Sequence, residues 1–430
     1  MSALVDAENR LGYLVNDADE HSTPPVSAFL DYIDPDKRDV AITEINRDRG
    51  KHEYIWGGKP DPSPVKSLGN EQVIGSMDVQ ARVGLDQRGR SEELIGNAPI
   101  PGSLLNKLNP LRGLDEEGRK EFTRRYRALQ EQLDNPTDRL NVMDAQGIDA
   151  AVNFVVVPGI EVHFEDDYDA LYANLNALNR YLGEVWGYNH SDRLYTPPMV
   201  SFADPDAAVD QLKRIMAIEV PKVIQTATGP SMHTSPFRPE MDRFWEICSE
   251  AGIGLSTHLA SVTRYAAQGI EWSEDEVILG DMSAFQWTFY YGDRPAMETV
   301  GAAILQGWFA RFPKMKLLLA EQGTVWLPYL IRKMDHAFLM GRRASWGKLT
   351  MRPSDYFRKH CFVAPFPEEN LDRVIEAVGV DPIVFGTDFP HGEGLPDPSL
   401  YLGQLTNLST ADAKAVMRNN LGRFLDKPAD

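Results

Sequence analysis

Cysteine is scarce in this sequence, with two residues, Cys248 and Cys361, among 430. Both fall inside predicted elements of regular structure, so we expect buried thiols rather than a disulfide, and two thiols cannot complete a zinc cage. Apolar runs are short, and none reaches the roughly 18 residues that a membrane helix needs. The N-terminus, with Asp6 and Glu8, lacks the basic and then apolar pattern of a signal peptide. These absences predict a cytoplasmic protein without a membrane-spanning segment.

Basic residues are also in deficit, because 44 Lys and Arg stand against 63 Asp and Glu and give a formal net charge of −19. Phosphate recognition needs clustered Lys and Arg, so this balance argues against nucleic acid as a partner. An anionic small-molecule substrate is not excluded, since local basic residues can surround the mouth of a site. The apolar fraction of 43% and the charged fraction of 25% are typical of a globular protein.

Short apolar runs alternate with amphipathic helices from about residue 137 onward. Continuously apolar strands suit a parallel sheet that is buried on both faces. About eight such strands predict an α/β protein with a (β/α)₈ TIM-type barrel, in which residues 1–430 form one domain. The candidate strands are Tyr13–Ala18, Ala150–Val157, Leu194–Ser201, Pro221–Ala227, Ile253–Thr257, Met315–Ala320, Cys361–Ala364 and Pro382–Thr387.

Two segments do not fit the alternation and are predicted to be insertions. Residues 28–135 are rich in Pro, Gly and charge, with helical character only near 116–133, and residues 259–292 are rich in aromatic side chains. Both follow strands that end in candidate ligands, so we expect both to cap the C-terminal face of the barrel. The aromatic residues would either enclose a sizeable apolar substrate or bury an accessory core or a homodimer interface.

Residues that bind metals stand at the ends of four candidate strands, where a barrel of this type keeps its chemistry. Asp17, Asp19 and His21 alternate at the end of the first strand, so a period of two places them on one face. Imidazole mixed with carboxylate suits iron or manganese at least as well as zinc. Six ligands could serve one octahedral ion or two ions that share a carboxylate. The predicted ligands are Asp19, His21, His258, Glu321, Asp388 and His391.

Four further residues are candidates for catalytic or supporting roles. Glu20 points to the other face of the first strand unless the strand ends there. Glu393 could orient His391 from outside the ligand set. His163 and His233 follow the second and fourth strands, so either could reach the rim as a substrate-binding or proton-transfer residue.

The motif Asp19-x-His21, His258 and the run from Phe385 to His391 resemble the amidohydrolase-related (amidohydrolase 2) TIM-barrel proteins over about residues 14–425. In the typical family the first motif is His-x-His and the sixth strand ends in histidine. Here those places hold Asp19 and Glu321, and no lysine follows the fourth strand.

Further runs are similar to a divergent branch of that family, the TIM-barrel nonheme diiron monooxygenases such as the one in platensimycin and platencin biosynthesis. The runs are Arg139–Asp144, Trp186–Tyr188, Ala320–Gly323 and Phe385–Gly394. This resemblance implies two irons, an external electron donor and O₂-dependent hydroxylation of an apolar natural-product intermediate carried as a coenzyme A thioester. By analogy, Asp19, His21 and Asp388 would hold one iron, and His258, Glu321 and His391 the other.

Two other interpretations stay open. In the first, the protein is a metal-dependent hydrolase or nonoxidative decarboxylase with zinc or manganese, in which Asp388 is the general base and turnover needs no oxygen. In the second, it is a noncatalytic binding protein whose barrel has lost its metal. Metal-binding side chains at both substituted positions, Asp19 and Glu321, favour a retained metal site.

Overall fold

A computed structural model describes residues 11–47, 51–60, 65–66, 133, 135–155, 157, 159–259, 272, 277–278, 285, 293–341, 349–366, 369–391, 395 and 398–427. Glu393 and most of the predicted insertions at 28–135 and 259–292 lie outside these residues. Among the described helices, none combines the length and the apolar character needed to cross a membrane.

The strands are β1 (Val15–His21), β2 (Thr43–Arg47), β3 (Lys51–Trp56), β4 (Lys59–Pro60), β5 (Val65–Lys66), β6 (Ile148–Phe154), β7 (Asn189–His190), β8 (Leu194–Tyr195), β9 (Val223–Ala227), β10 (Gly254–His258), β11 (Val277–Ile278), β12 (Leu317–Ala320) and β13 (Cys361–Val363). The α-helices are α1 (Ser27–Tyr32), α2 (Pro136–Gln146), α3 (Ile160–His163), α4 (Tyr168–Tyr181), α5 (Pro205–Ile218), α6 (Asp242–Ala251), α7 (Asp293–Leu305), α8 (Trp308–Arg311), α9 (Leu327–Met340), α10 (Pro353–His360), α11 (Asp372–Val378), α12 (Thr410–Lys414) and α13 (Asn420–Phe424). Short 3₁₀ helices cover Pro35–Val40, Pro239–Met241 and Pro398–Leu405, and π-helical turns cover Leu182–Trp186 and Ala415–Asn419.

Parallel strand pairs follow one another in chain order and form a closed ring. One sheet joins β1 to β6 and β6 to β8, and a second joins β9, β10, β12 and β13. Three isolated parallel pairs connect what remains: Met199 with Gln225, Val363 with Ile383, and Glu20 with Phe389. The pairings therefore give the TIM-barrel-type α/β fold that the alternating sequence predicts, with residues 383–389 in the place of the last strand.

The interior of this ring is filled by every second residue of its strands, because successive side chains point to opposite faces. Val152, Phe154, Leu318 and Val384 belong to one buried cluster together with Phe424 from α13. Gly254 leaves room for that ring, since a Cβ at this position would lie 2.9 Å from Cζ of Phe424. Other apolar residues of these strands, among them Ala151, Leu255 and Leu317, belong to a second, larger cluster that includes the helices.

Helix α2 shows how local sequence sets the alternation of helix and strand. Its N-cap Asn135 accepts a hydrogen bond from the backbone N–H of Asp138, and Pro136 occupies the first turn. Gly147 ends the helix with a φ of 73°, which a residue without Cβ adopts at little cost. The chain then enters β6 directly, so the start of α2 lies at the same end of the barrel as the end of β1.

The first predicted insertion contains an antiparallel sheet that the sequence analysis did not predict. Strands β2, β3 and β4 pair in order, and the turn between β3 and β4 contains Gly57 and Gly58, both with positive φ. The segment is fastened to α4, because Asn174 accepts a hydrogen bond from the N–H of Ile42 and donates one to the carbonyl of Val40, both at 2.8 Å. This part of residues 28–135 therefore packs beside the second βα unit.

Candidate metal centre

Strand β1 contains a bulge at the point where its polar residues begin. Asp17 pairs with Ala151 and Glu20 with Asn153, so two residues of β1 lie opposite one residue of β6. Asp17 consequently does not share the face of Asp19 and His21, contrary to the simple period of two. Its carboxylate accepts hydrogen bonds from the backbone N–H groups of Asp19 and Thr387 at 3.0 and 2.9 Å.

The donor atoms at the strand ends lie within a few ångströms of one another. The His21 Nε2 atom is 3.2 Å from Oδ1 of Asp19 and 3.1 Å from Oδ1 of Asp388. The Nε2 atom of His258 is 3.3 Å from Asp19 Oδ1 and 3.4 Å from Glu321 Oε2. Ligands bound at about 2.1 Å to one cation are separated by roughly 3.0–3.5 Å, so this spacing fits donors that share an ion.

The surroundings of the His21 imidazole also fit a bound cation. Its Nε2 atom is buried and has no hydrogen-bond partner among the described residues, although two carboxylate oxygens are close by. A buried polar atom without a partner is costly, and a cation would satisfy it together with those oxygens. The residues present therefore fit a divalent metal ion.

Six side chains form two overlapping groups of donors. Within each group the donor atoms all lie within 4.8 Å of one another, and His21 belongs to both. The first group is Asp19, His21 and His258, and the second is His21, Glu321, Asp388 and His391. The structure thus brings together all six residues that the strand ends suggested as ligands.

The protein supplies a strongly negative environment at this point. Burial alone would lower the pKa of His21, but the carboxylates of Asp19 and Asp388 raise it to about 10. Burial would raise the pKa of Asp388, yet His391 and His21 hold it well below its usual range. In the absence of a metal, these carboxylates favour a positive charge on the His21 imidazole, and a cation would meet the same field.

Two of the carboxylates follow their strands with left-handed backbone conformations, with φ of 49° at Glu321 and 58° at Asp388. Such conformations cost about 1–3 kcal/mol for residues other than glycine and persist where the surroundings hold them. The turn after Glu321 is held by Trp326, whose indole N–H lies 3.0 Å from the carbonyl oxygens of both Gln322 and Gly323. The carboxylate of Glu369 accepts the backbone N–H of Thr324 in the same turn.

The sequence matches the family described as amidohydrolase over residues 116–427, which is more than half of the chain. This chain belongs to the amidohydrolase family.

Solved structures support the fold of this amidohydrolase. An amidohydrolase from Mycobacterium avium subsp. paratuberculosis K-10 is 24% identical, with a TM-score of 0.74, and the match covers 96% of this chain and 98% of that one. A 5-carboxyvanillate decarboxylase from Novosphingobium aromaticivorans DSM 12444, complexed with manganese and 4-hydroxy-3-methoxy-5-nitrobenzoic acid, is 16% identical over 98% of both chains, with a TM-score of 0.58. A 2,6-dihydroxybenzoate decarboxylase from Rhizobium is 21% identical over 70% of this chain and 91% of that one, with a TM-score of 0.54.

The other predicted site residues lie outside the two donor groups of the amidohydrolase. Glu20 forms a buried ion pair with Arg139, whose Nη1 atom is 3.3 Å from Oε2 of Glu20. The ring of His163 stacks on Trp56 with centroids 3.9 Å apart, and its Nδ1 atom is 2.6 Å from the carbonyl oxygen of Gly159. His233 is exposed and has a φ of 69°. The roles expected of these residues, and of Glu393, stay predictions.

Three residues that support the site were not among the predicted site residues. Arg139 contacts Glu20 and the backbone of His21, and Thr387 fixes Asp17 against the last barrel segment. Phe154 places its ring 4.9 Å from that of His258. A signal existed for Arg139 and Thr387, because each lies in one of the runs that carry the family resemblance, but not for Phe154.

Gly386 should be essential for metal affinity. A Cβ atom there would lie 2.9 Å from Cβ of Asp19, closer than such atoms approach in proteins. We expect Gly386→Ala to displace Asp19, to weaken metal binding at least about tenfold, and to destabilise the fold by about 1–3 kcal/mol. Metal titration and thermal unfolding measure both effects. Gly403→Ala is the control, since no atom lies within 4 Å of its added Cβ, and equal metal affinity in the two variants would contradict the prediction.

Proposed function

We propose that this amidohydrolase is a divalent-metal-dependent enzyme that uses manganese or zinc for nonoxidative decarboxylation of a small carboxylic acid. The observation that carries the proposal is the spacing of 3.1–3.3 Å between neighbouring donor atoms of Asp19, His21, His258 and Asp388. Such a set of two imidazoles and two carboxylates offers one ion ligands of the kind that manganese and zinc accept. The alternative reaction of the same site is hydrolysis, in which Asp388 would activate water.

The comparisons support this reaction class over the monooxygenase that the sequence runs imply. The family is that of amidohydrolases, and two of the structurally similar proteins are named as decarboxylases, one of them with manganese. Nonoxidative decarboxylation needs neither oxygen nor an electron donor. The proposed reaction therefore does not require a redox-active metal.

Decarboxylation breaks the bond between a carbon atom and its carboxyl group, leaves the electron pair on that carbon, and replaces CO₂ by a proton. A bound divalent ion would fix the substrate and stabilise the negative charge that develops on it as CO₂ leaves. His391 would supply the proton through the Asp388 carboxylate, because the Nδ1 atom of His391 lies 2.7 Å from Asp388 Oδ1. The side chain of His391 is 35% exposed, so solvent can return the proton that Asp388 passes on.

The rings around the donor atoms favour a planar, apolar substrate body. Phe154 lies beside His258, and the ring of His391 stacks on His21 with centroids 4.0 Å apart. Among these rings that of His391 is the exposed one, so it is the ring on which an aromatic substrate could stack. Hydroxylated aromatic acids, such as the 2,6-dihydroxybenzoate and 5-carboxyvanillate named for the similar structures, are the first substrates to assay.

Turnover without oxygen tests the proposal. The metal-free protein, reloaded with Mn²⁺ or Zn²⁺ under nitrogen, is expected to release CO₂ from a panel of hydroxylated aromatic acids at the same rate as in air. Panels of amides and lactones assayed in parallel report hydrolysis. A strict dependence of product formation on oxygen and a reductant would overturn the proposal.

One observation favours a second candidate, the nonheme diiron monooxygenase. Glu321 and His391 extend the donor set beyond four, so the six donors could be divided between two ions, with His21 bound to one of them. In that case, protein from iron-supplemented cells would contain about two irons per chain and would consume oxygen when an acyl-coenzyme A substrate and a reductant are added. One metal ion per chain without oxygen uptake would exclude it.

A further inference from the structure

A fully buried arginine contacts the backbone of a candidate metal ligand. Arg139 in α2 is buried, and its Nη1 atom donates to Oε2 of Glu20 at 3.3 Å. Its Nη2 atom donates to the carbonyl oxygen of His21, and the Oγ atom of Ser22 lies 3.4 Å from the same nitrogen. One guanidinium group therefore spans the three residues that end β1 and leave it.

The same guanidinium also reaches the segment that carries Asp388. Its central carbon lies 5.5 Å from the centroid of the Phe389 ring. Phe389 in turn accepts the backbone N–H of His21 at 2.8 Å, and Asp388 donates its N–H to the carbonyl of Asp19 at 2.8 Å. Arg139 thus touches both of the chain segments whose side chains meet at the donor cluster.

Breaking the ion pair between Glu20 and Arg139 would cost free energy, because both side chains are buried. Both side chains are buried, with exposures of 1% for Arg139 and 0% for Glu20. Removing one partner of a buried ion pair leaves an uncompensated charge, which is more costly than replacing both by neutral groups. Glu20 therefore compensates a positive charge that would otherwise stand next to a cation site.

We propose that Glu20 and Arg139 are a positioning pair, in which Glu20 binds no metal and Arg139 orients His21 through its carbonyl oxygen. The pair holds the ends of β1 and residues 383–389 at the separation that brings the His21 and Asp388 donors to 3.1 Å. This inference rests on the metal-binding part of the proposed function but not on the reaction. It predicts that metal affinity depends on two side chains that do not belong to the donor groups.

Titration of the full-length protein with Mn²⁺, together with thermal unfolding of the metal-free form, tests the pair. Glu20→Gln keeps the shape of the side chain but leaves Arg139 uncompensated, so we expect Mn²⁺ affinity to fall at least about tenfold, the size found for partners of metal ligands. Glu298→Gln is the matched control, since Glu298 pairs with Arg294 at 3.0 Å on α7 with about half of each side chain exposed. The control is expected to bind Mn²⁺ like the wild type.

The double variant Glu20→Gln/Arg139→Met separates positioning from general stability. It buries no unpaired charge, so its metal-free form is expected to unfold at a higher temperature than the Glu20→Gln single variant. Its Mn²⁺ affinity is expected to stay at least about tenfold weaker than that of the wild type, because no side chain then donates to the His21 carbonyl.

The possible results distinguish a failure of the positioning role from a failure of the proposed function. Wild-type affinity in Glu20→Gln, or full recovery of affinity in the double variant, overturns the positioning role while the proposed function stands. A wild-type protein that binds neither Mn²⁺ nor Zn²⁺ overturns the proposed function and the inference with it.

Discussion

Replacing His21 with alanine is expected to abolish metal binding and to reduce turnover at least about 10³-fold. His21 belongs to both donor groups, and removing one member of a set of catalytic groups that act together can abolish the activity of the whole set. The side chain is buried against Asp19 and Asp388, and its removal also leaves their carboxylates without their nearest imidazole. Metal content after dialysis and the initial rate at saturating substrate measure the two losses.

Thermal unfolding provides an independent readout for this variant. A ligand that binds only the folded protein raises the unfolding temperature, so Mn²⁺ should stabilise the wild type but not His21→Ala. The exposed His336 on α9 offers a control, and His336→Ala should keep the full metal-dependent shift. An equal shift in His21→Ala would show that the metal is bound elsewhere.

Replacing Asp388 with asparagine is expected to lower kcat by about 10²–10⁴-fold, the usual contribution of a positioned acid–base group. The amide keeps an oxygen at this position but cannot take a proton from His391 and pass it on. Asp19, His21 and His258 stay in place, so the rate should be measured at saturating metal, where the loss reflects chemistry rather than occupancy.

Asp381, which lies just before residues 383–389 in the chain, supplies the control for Asp388. The side chain of Asp381 is 74% exposed and lies 4.0 Å from Arg423, remote from the donor cluster. Asp381→Asn should leave kcat unchanged. If Asp388→Asn retains more than a tenth of the wild-type kcat with metal at saturation, Asp388 is not the proton-transfer residue.

The sequence predicts which side chains meet at the donor cluster better than it predicts the bounds of the strands that carry them. A carboxylate or imidazole directly after an apolar run is visible without any pairing information, as at His258 and Glu321. Strand bounds depend on hydrogen bonding between strands, which the run itself does not encode. The predicted strand Leu194–Ser201 pairs as β8 over two residues, because Pro197 and Pro198 have no N–H to donate.

The bulge in β1 and the Glu20–Arg139 pair lie beyond what the sequence pattern can predict. The bulge is a property of the pairing between β1 and β6, and the ion pair joins residues 119 positions apart. The hairpin of β3 and β4 could have been predicted from the sequence, since Gly57-Gly58 is a strong signal for a two-residue turn with positive φ. The charged composition of the surrounding residues masked that signal.

Closure of the barrel between β1 and residues 383–389 has a consequence for the stage of folding at which the donor cluster is complete. Asp17 and Thr387, which join these segments, are 370 positions apart. During synthesis, Asp19, His21 and His258 emerge long before Asp388, and a ribosome-bound chain ending before residue 388 could offer only part of the donor set. The complete set of six donors therefore forms only after the two ends of the chain have met, and we expect full metal affinity only at that stage of folding.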